Sequence, residues 1–422
     1  MGLAGAWRAL WRDGRATDVP EGKASRAGPL VALHMAGQPA LLPRRYDSFA
    51  DEGYRKNVIA FRAVNEVARG IACVPWLLYR HDARGGREEL SGHPLLALLK
   101  RPNPAMGQSA FFEAVAGFFL IAGNSYVEAA APNPSAPPRE LWPLRPDRMA
   151  VIKSKTGLPG GYEYRVGGEL QRWSADPLSG RSAVLHLKAF HPLDDWYGLS
   201  PLEAAAYGID QHNEAGKWNT ALLQNSGRPS GALVYKPSVE GAADSLSDEQ
   251  FARLEAQFEA RVRGAANAGR PLILEGGLTW QEMGLKPRDM DFLRAKHTAA
   301  RDIALAFGVP PQLLGIPGDN TYSNYQEARL ALWEETIVPL LRQLRDELNG
   351  WLAPRFGPDL ELDVDLDEVP ALTLRRERRW DMLLRAVERG VLTRDEAREG
   401  LGYGPFSDAI GGDAPGGEGG GE

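Results

Sequence analysis

The sequence predicts an α+β fold in which long helices carry small sheets. In the first half of the chain, helical periodicity alternates with short strand-like runs between Gly and Pro turns. A later helical run, Pro287–Phe307, stops at Gly308-Val309-Pro310-Pro311. Two prolines in series are incompatible with helix on both sides of this break. A loop of small and polar residues follows, and a second long helix is predicted over Asn324–Leu352.

The elements of the first half follow from periodicity and turn residues. A helix is predicted over Asn57–Val74, where apolar residues share one stripe, and a strand over Val74–Arg80. A second helix is predicted over Gln108–Ile121, closed by Gly123. Further strands are predicted at 125–131, 149–153, 162–166 and 183–189. Together these elements form an α+β unit.

Capping signals mark the helices of the second half. Ser200-Pro201-Leu202-Glu203 has the pattern of a capping box, and its helix should run to about Asn225. Leu246–Phe251 carries a second cap, whose helix ends near Gly264. Thr393-Arg394-Asp395-Glu396 carries a third, and Pro339 should kink the long helix. Short strands are predicted at 231–236, 271–274 and 278–283.

The composition is that of an ordinary globular chain. The 422 residues are 43% hydrophobic and 25% charged, and no apolar run approaches the ~20 residues of a membrane span. The first residues show no basic-then-apolar signal pattern. Cys73 is the single cysteine, which excludes an internal disulfide, and its apolar surroundings predict a core position. A reducing, cytoplasmic compartment is therefore expected.

The charge balance argues against tight binding of nucleic acid. The 49 Lys and Arg residues are outnumbered by 55 Asp and Glu residues, which gives a formal net charge of −6. Tight binding of DNA needs clustered positive charge against the phosphates. A surface past which DNA slides is compatible with this balance, and it should hold phosphates weakly.

One group of polar residues could serve a hydrolytic or metal-binding role. His186, His191, Asp194 and Asp195 lie around Pro192 at the exit of a predicted strand. Turn formation is the more common role of such residues. A metal-dependent α+β hydrolase and a non-catalytic protein-binding scaffold therefore stay open as alternatives.

Other catalytic signatures are weak or missing from the sequence. The chain has no Gly-x-x-x-x-Gly-Lys-Ser/Thr run, so ATP hydrolysis by any associated motor belongs to another protein. His212 and His297 lie on separate predicted helices. We expect both histidines to be solvated or to cap helix ends.

Five short segments occur in a characteristic order and spacing. They are Tyr197-Gly198-Leu199-Ser200-Pro201-Leu202, Asn267-Ala268-Gly269-Arg270, Leu274-Glu275-Gly276-Gly277, Phe307-Gly308-Val309-Pro310-Pro311-Gln312-Leu313-Leu314-Gly315 and Thr321-Tyr322-Ser323-Asn324. With these segments the chain resembles the portal protein of tailed bacteriophages, in the lambdoid-head branch, and is most similar to the portal of a gene transfer agent or a related prophage. The resemblance covers about Arg44 to Tyr403 and does not separate an infectious phage from a gene transfer agent.

The resemblance implies the phage portal fold and a division of the chain into its parts. An α/β wing, two stem helices around a small α/β clip, a tunnel loop, a long kinked helix and a helical crown are expected. The boundaries are 1–44 for a flexible arm, 45–198 for the wing, 199–227 for the first stem helix, 228–286 for the clip, 287–308 for the second stem helix, 309–323 for the tunnel loop, 324–369 for the long helix and its return to the wing, 370–410 for the crown, and 411–422 for a disordered Gly-rich tail.

The resemblance also implies a function without catalysis, cofactor or metal. About twelve copies would form a ring at one capsid vertex. The ring would conduct double-stranded DNA during packaging and ejection. Its further partners would be the major capsid protein, the terminase large subunit and a head–tail adaptor, with no membrane. The protein would reside in a virion or virus-like particle after assembly in the bacterial cytoplasm.

The tunnel loop provides the candidates for DNA contact. Hydroxyl and amide groups can contact phosphates without a strong electrostatic hold. Pro310 and Pro311 fix where the loop leaves its helix, while Gly315 and Gly318 let it bend. The candidate contact residues are Asp319, Asn320, Thr321, Tyr322 and Ser323.

The second stem helix provides the candidates for contact between copies. Its charges have mixed sign, which suits either a solvated face or a heterologous contact with the next copy in a ring. The candidate ring contacts are Arg288, Asp291, Arg294, Arg301 and Asp302. On the long helix, oligomerisation is expected to cover an apolar face formed by Trp333, Ile337, Leu340, Leu344 and Trp351.

Overall fold

The computed structural model describes residues 46–82, 86–133, 135–155, 157–224, 231–235, 247, 249–254, 256, 278–282, 292–318 and 322–401. The chain divides into two units, one of residues 1–40 and 222–285 and the other of residues 41–221 and 286–422. The expected arm at 1–44, the tail at 411–422 and the predicted strand at 271–274 lie outside the described residues.

Helices account for most of the larger unit. Two of the helices continue as π-helical segments, Phe49–Arg55 and Leu332–Ile337. The helices are α1 (Tyr46–Ser48, then Phe49–Arg55), α2 (Val58–Ala72), α3 (Pro94–Lys100), α4 (Gln108–Ala122), α5 (Pro201–Ala204), α6 (Ala206–Gln224), α7 (Phe292–Ala306), α8 (Tyr322–Ala331, then Leu332–Ile337), α9 (Val338–Trp351), α10 (Thr373–Glu388) and α11 (Arg394–Gly400).

The strands form small antiparallel sheets. The described strands are β1 (Trp76–His81), β2 (Arg87–Glu89), β3 (Asn124–Ala130), β4 (Glu140–Leu144), β5 (Met149–Ile152), β6 (Gly161–Val166), β7 (Glu169–Ser174), β8 (Val184–Lys188), β9 (Gly231–Tyr235), β10 (Leu278–Glu282) and β11 (Leu360–Val364). In the larger unit the sheet orders are β11-β1-β2, β4-β3-β8 and β5-β6-β7, and the smaller unit contains the pair β9-β10.

The pairing of β1 with β11 closes the larger unit. Trp76 lies opposite Val364 and Arg80 lies opposite Leu360. Arg345 on α9 supports this edge, because its Nη1 donates a 3.2 Å hydrogen bond to Asp363 Oδ1. The segment after the long helix therefore returns to pair with β1, the first described strand of the chain.

The core of the larger unit lies between α2 and α4. Ala60, Ala63 and Val67 of α2 are fully buried, and small residues at these positions let the two helices approach closely. Asn57 is the N-cap of α2, with Oδ1 accepting from Ile59 N at 3.1 Å and Ala60 N at 3.0 Å. The helix predicted from Asn57 therefore begins with its own cap.

Two of the predicted caps have the reciprocal pattern of a capping box. Thr393 Oγ1 accepts from Glu396 N at 3.2 Å, and Glu396 Oε2 accepts from Thr393 N at 2.8 Å. Ser247 and Gln250 exchange the same two bonds, at 3.0 and 3.3 Å. Ser200 differs, because its Oγ accepts from Leu202 N at 3.0 Å and donates to Ile121 O at 2.6 Å.

The long helix begins earlier than predicted, and its backbone hydrogen bonding changes from α-helical to π-helical just before Pro339. Helical backbone starts at Tyr322 rather than Asn324, and the segment Leu332–Ile337 is π-helical. Pro339 occupies the first turn of α9. A proline lacks the backbone donor and its ring clashes with the carbonyl one turn earlier, and wider π-type pairing relieves that conflict.

The apolar face of this helix is covered within one chain. Trp333, Ile337 and Leu344 are 7%, 1% and 7% exposed and belong to the main core. Leu340 and Trp351 are half-buried against the same core. The prediction that oligomerisation must cover these residues is therefore wrong, because β11 and the helices of the same chain already do so.

Two further single-residue predictions are wrong. Cys73 is exposed rather than buried, because it follows the last residue of α2, and its Sγ donates to Gly70 O at 3.2 Å. His212 is neither solvated nor a helix cap, because it is buried and its Nδ1 lies 3.3 Å from Asn57 Nδ2. That contact joins α6 to the start of α2.

Candidate functional site

The break after α7 is built by a glycine as much as by the prolines. Gly308 has a φ of 63°, and Val309 N donates to Ala304 O at 3.0 Å, which closes the helix in a left-handed C-terminal turn. A Cβ at Gly308 would lie 2.5 Å from Thr336 Oγ1. Thr336 Oγ1 also donates to Gly308 O at 2.7 Å, so the break is fastened to the long helix.

The first part of the expected tunnel loop is anchored to the core. Pro311–Leu314 form a 3₁₀ turn, and Gly315 follows with a φ of 71°. Ile316 is 4% exposed and packs with Ala300 and Ala304 of α7. The left-handed conformation expected to bend the chain is therefore present at Gly315.

Arg301 extends this anchoring to the next residues. Its Nη2 donates a 2.6 Å hydrogen bond to Pro317 O. Gly315 is one of the described glycines with a positive φ, and Gly318 is not. A Cβ at Gly318 would lie 3.1 Å from Arg301 Nη2. Gly318 thus gives room to the guanidinium rather than a left-handed bend.

The candidate DNA contacts fall into two groups. Asp319, Asn320 and Thr321 lie outside the described residues. Tyr322 and Ser323 lie in the first turn of α8, so their assignment to a loop is wrong. In the sequence, Tyr322 directly follows Thr321, a residue type favoured immediately before a helix, so a helix start at Tyr322 fits the local signal.

The described ring-contact candidates share α7. Arg294, Arg301 and Asp302 are exposed, whereas Arg288 and Asp291 lie outside the described residues. Arg294 and Arg301 lie two turns apart on one face, and Leu305, one turn further on, is 80% exposed. A large apolar side chain beside exposed arginines is typical of a contact surface.

The residues considered for a hydrolytic site build a turn instead. Asp194 Oδ1 accepts from Trp196 N at 2.7 Å and from Tyr197 N at 3.1 Å. Partial burial opposes ionisation, but these backbone hydrogen bonds hold the pKa of Asp194 below its usual range. His191 Nδ1 accepts from Leu193 N at 3.0 Å. Lys188 Nζ donates to the Asp195 carbonyl at 2.6 Å.

His186 lies in β8, before this turn, and contacts residues of the paired strand β3. Its ring stacks on Tyr126 with 4.3 Å between centroids, and its Nε2 lies 3.0 Å from Asn124 Oδ1. Burial lowers the pKa of His186 to about 3, so the ring is neutral near pH 7. Within the described part of the chain, no group of three His, Cys, Asp or Glu residues could hold a metal ion.

None of the described helices combines the length and apolar character needed to cross a bilayer.

Comparison with protein families gives one match over most of the chain. A family model described as "Phage portal protein" matches residues 59–402. An uncharacterized protein of Rickettsia bellii is 45% identical over 357 residues, covering 85% of this chain and 89% of that protein. The portal protein of Enterobacteria phage HK97 is 24% identical over 340 residues, covering 80% of this chain and 74% of the phage protein.

Solved structures give a consistent result. A chain from the neck of a native gene transfer agent particle, computed with C12 symmetry, is 44% identical with a TM-score of 0.64, covering 88% of this chain and 96% of that chain. An HK97-family phage portal protein from Corynebacterium diphtheriae is 17% identical with a TM-score of 0.53, covering 78% of this chain and all of that chain. The second similarity concerns the fold alone.

Proposed function

Because the chain belongs to the phage portal protein family, we propose that its copies form a ring at one vertex of a capsid and conduct double-stranded DNA through it. The chain is a structural protein and not an enzyme. The observation that carries the proposal is the 44% identity to a chain in the neck of a gene transfer agent particle, over 88% of the present chain.

The parts of the ring follow the order of the chain. We assign the wing to 45–198, the stem to 199–227 and 287–308, the clip to 228–286 and the crown to 370–410. The segment 324–369 runs from the long helix back to the wing, and the pairing of β11 with β1 supports that assignment. We assign the tunnel loop to 309–323, of which only the last residues project.

The part of the loop that is free to project is short. Val309 and Ile316 are buried and Pro317 is tied to Arg301, so projection starts after Pro317. From Pro317 to Tyr322 the extended chain covers at most ~17 Å, at ~3.4 Å per residue. Asp319, Asn320 and Thr321 are thus the proposed DNA contacts, and Tyr322 and Ser323 support them from the first turn of α8.

The ring contact on the stem is proposed at Arg294, Asp302 and Leu305. Their exposure and mixed character suit a contact in which one face of a copy meets a different face of the next. Arg301 stays in the original set, but its guanidinium already has a partner in the same chain. Arg294 and Arg301 are therefore tested side by side for the contact between copies.

The remaining partners follow from the position in a particle. A ring of about twelve copies would contact the major capsid protein around the vertex, the terminase large subunit during packaging and a head–tail adaptor afterwards. The particle would be assembled in the bacterial cytoplasm. No observation on the described residues favours the hydrolase or the simple scaffold over this function.

The proposal is tested in cells that produce the particles. Deleting the chain should abolish DNA-filled particles, and the wild-type chain supplied in trans should restore them. Asymmetric image reconstruction should then place the chain at one vertex of each particle. DNA-filled particles at normal yield without the chain, or density for it at every vertex, would overturn the proposal.

A further inference from the structure

A polar cleft lies where the described part of the larger unit begins. Its cavity measures about 320 Å³, and Tyr46, the first described residue, is in its wall. Apolar and acidic side chains both line it. Its lining includes Tyr46, Phe49, Asn124, Tyr126, Asp194 and Glu203.

The walls of the cleft are fixed before anything binds. Asn124 Oδ1 accepts from Gly198 N at 2.8 Å, and Asn124 Nδ2 donates to Ala122 O at 2.8 Å. The turn closed by Asp194 forms another wall. Ser200 Oγ donates a 2.6 Å hydrogen bond to Ile121 O. A preformed cleft binds an occupant without the entropic cost of ordering its walls.

We propose that this cleft holds the segment immediately before it in the chain, Leu41-Leu42-Pro43-Arg44-Arg45, and so fixes where the N-terminal arm leaves the wing. Covalent continuity gives the first reason, because Arg45 is bonded to Tyr46 at the edge of the cleft. The effective concentration of such a tethered segment is high.

Charge gives the second reason. Arg44 and Arg45 are adjacent in the sequence, and Asp194 and Glu203 are the acidic residues of the cleft. Backbone hydrogen bonds lower the pKa of Asp194, so its carboxylate is ionised at neutral pH. An acidic cleft attracts guanidinium groups and repels phosphates, which argues for a basic peptide rather than nucleic acid.

Apolar complementarity gives the third reason. Leu41 and Leu42 precede the arginines, and the aromatic rings of Phe49 and Tyr126 are among the side chains that line the cleft. Pro43 between the two halves limits the backbone freedom lost on docking. Five residues reach at most ~17 Å when extended, which keeps the leucines near the cleft once Arg45 is seated.

The docked segment is independent of DNA conduction. It acts as a fixed base from which residues before Leu41 extend to a partner. A ring could still assemble and pass DNA with the segment released. An experiment that disproves docking of this segment therefore leaves the proposed portal function untouched, and the two failures can be told apart.

Limited trypsin digestion of the full chain tests the proposal directly. Trypsin cuts after Arg, and Arg26 lies outside the proposed segment as an internal reference. We expect cutting after Arg44 or Arg45 to be at least ~10-fold slower than after Arg26, since docking must open before cleavage. Glu203→Gln should accelerate only the Arg44 and Arg45 cuts. Glu388→Gln, at an exposed site on α10, is the matched control and should change neither.

Charge exchange and crosslinking complete the test. Arg45→Glu should release the segment and speed cutting after Arg44, the trypsin site that remains in it. Arg45→Glu combined with Glu203→Arg should restore protection of the bond after Arg44. In Arg45→Lys, a zero-length carbodiimide crosslink should join the new amine to Glu203 or Asp194 as an amide, within a monomeric chain that has lost one water. Equal cutting at Arg26 and Arg45 in wild type, or no rescue by the exchange, would overturn the proposal. Crosslinked dimers on a denaturing gel would also overturn it, since they assign the cleft to a neighbouring copy's arm.

Discussion

Arg301 Nη2 donates a 2.6 Å hydrogen bond to the carbonyl oxygen of Pro317, so a stem residue holds the base of the proposed channel loop. The sequence suggested Arg301 as a contact between copies. The structure gives its guanidinium a role inside one chain. One residue thus couples the second stem helix to the position at which the loop begins to project.

Replacing Arg301 should therefore affect DNA retention more than assembly. Arg301→Met keeps the aliphatic stem but loses the donor, and an exposed hydrogen bond of this kind contributes about 0.5–1.5 kcal/mol to stability. Ring yield and packaged DNA length should be measured together. We expect near-normal rings with shortened or leaking DNA. Rings that fail to form in Arg301→Met, while Arg294→Met assembles normally, would instead place Arg301 in the contact between copies.

Gly308 should be intolerant of any side chain. Its φ of 63° strains an L residue, and an added Cβ would meet Thr336 Oγ1 at 2.5 Å. Gly308→Ala should lower the free energy of unfolding by about 1–3 kcal/mol in urea titrations. Gly350→Ala is the matched control, because it lies in α9 with open space around it. That change should be neutral or stabilising by up to ~1 kcal/mol. Equal effects of the two variants would contradict the role given to Gly308.

Asn57 should matter for two separate reasons. It caps α2 through Oδ1, and its Nδ2 donates to Asn213 Oδ1 at 3.0 Å. Asn57→Ala loses both functions and should cost about 2 kcal/mol of stability. Asn57→Ser keeps a capping acceptor without burying a charge and should cost less. Thermal melts of the two variants at neutral pH decide this, and identical losses would show that the cap contributes nothing.

His186 should make the fold sensitive to mild acid. Burial lowers its pKa from 6.5 to about 3, so the folded chain favours the neutral ring. Since the unfolded chain binds the proton first, stability is intact above pH 6.5 and falls as the pH drops towards 3. Between pH 6.5 and 4.5 the loss should reach about 2–3 kcal/mol. His186→Gln should flatten this part of the stability profile. An unchanged profile in His186→Gln would assign the acid sensitivity to other groups.

The short projecting loop should tolerate no added positive charge. Asn320→Lys places one new charge per copy on the proposed DNA path, or about twelve around a ring, and phosphate attraction of this kind is strongly salt-dependent. Packaging should stall part-way, with intact rings. Ser135→Lys adds the same charge at an exposed wing position as the control. Full-length packaging by intact Asn320→Lys rings would remove the loop from the DNA path.

Local capping signals predicted two helix N-termini correctly. The capping boxes at Thr393 and Ser247 depend only on residues three apart, and both are present. The strand Leu360–Val364 was not predicted, because its stability comes from pairing with Trp76–His81 far away in the sequence. The π-helical segment before Pro339 was missed for a related reason, since a sequence indicates a conflict at a proline but not how it is relieved.

The candidate site was only partly predictable. The break at Pro310 and Pro311 is explicit in the sequence, but the burial of Ile316 and the bond from Arg301 to Pro317 depend on tertiary contacts. Tyr322 and Ser323 were placed one element too early because helix boundaries are the least certain part of a sequence-based assignment. His191 and Asp194 showed their turn-forming role only through their backbone partners.

The central claim is that copies of this chain close into a ring, and native mass spectrometry of the purified protein tests it most directly. The account predicts a closed assembly of about twelve copies of the 46.1 kDa chain, which negative-stain images should show as rings with an axial channel. A chain that stays monomeric at high concentration, with a melting temperature independent of concentration, would contradict the account.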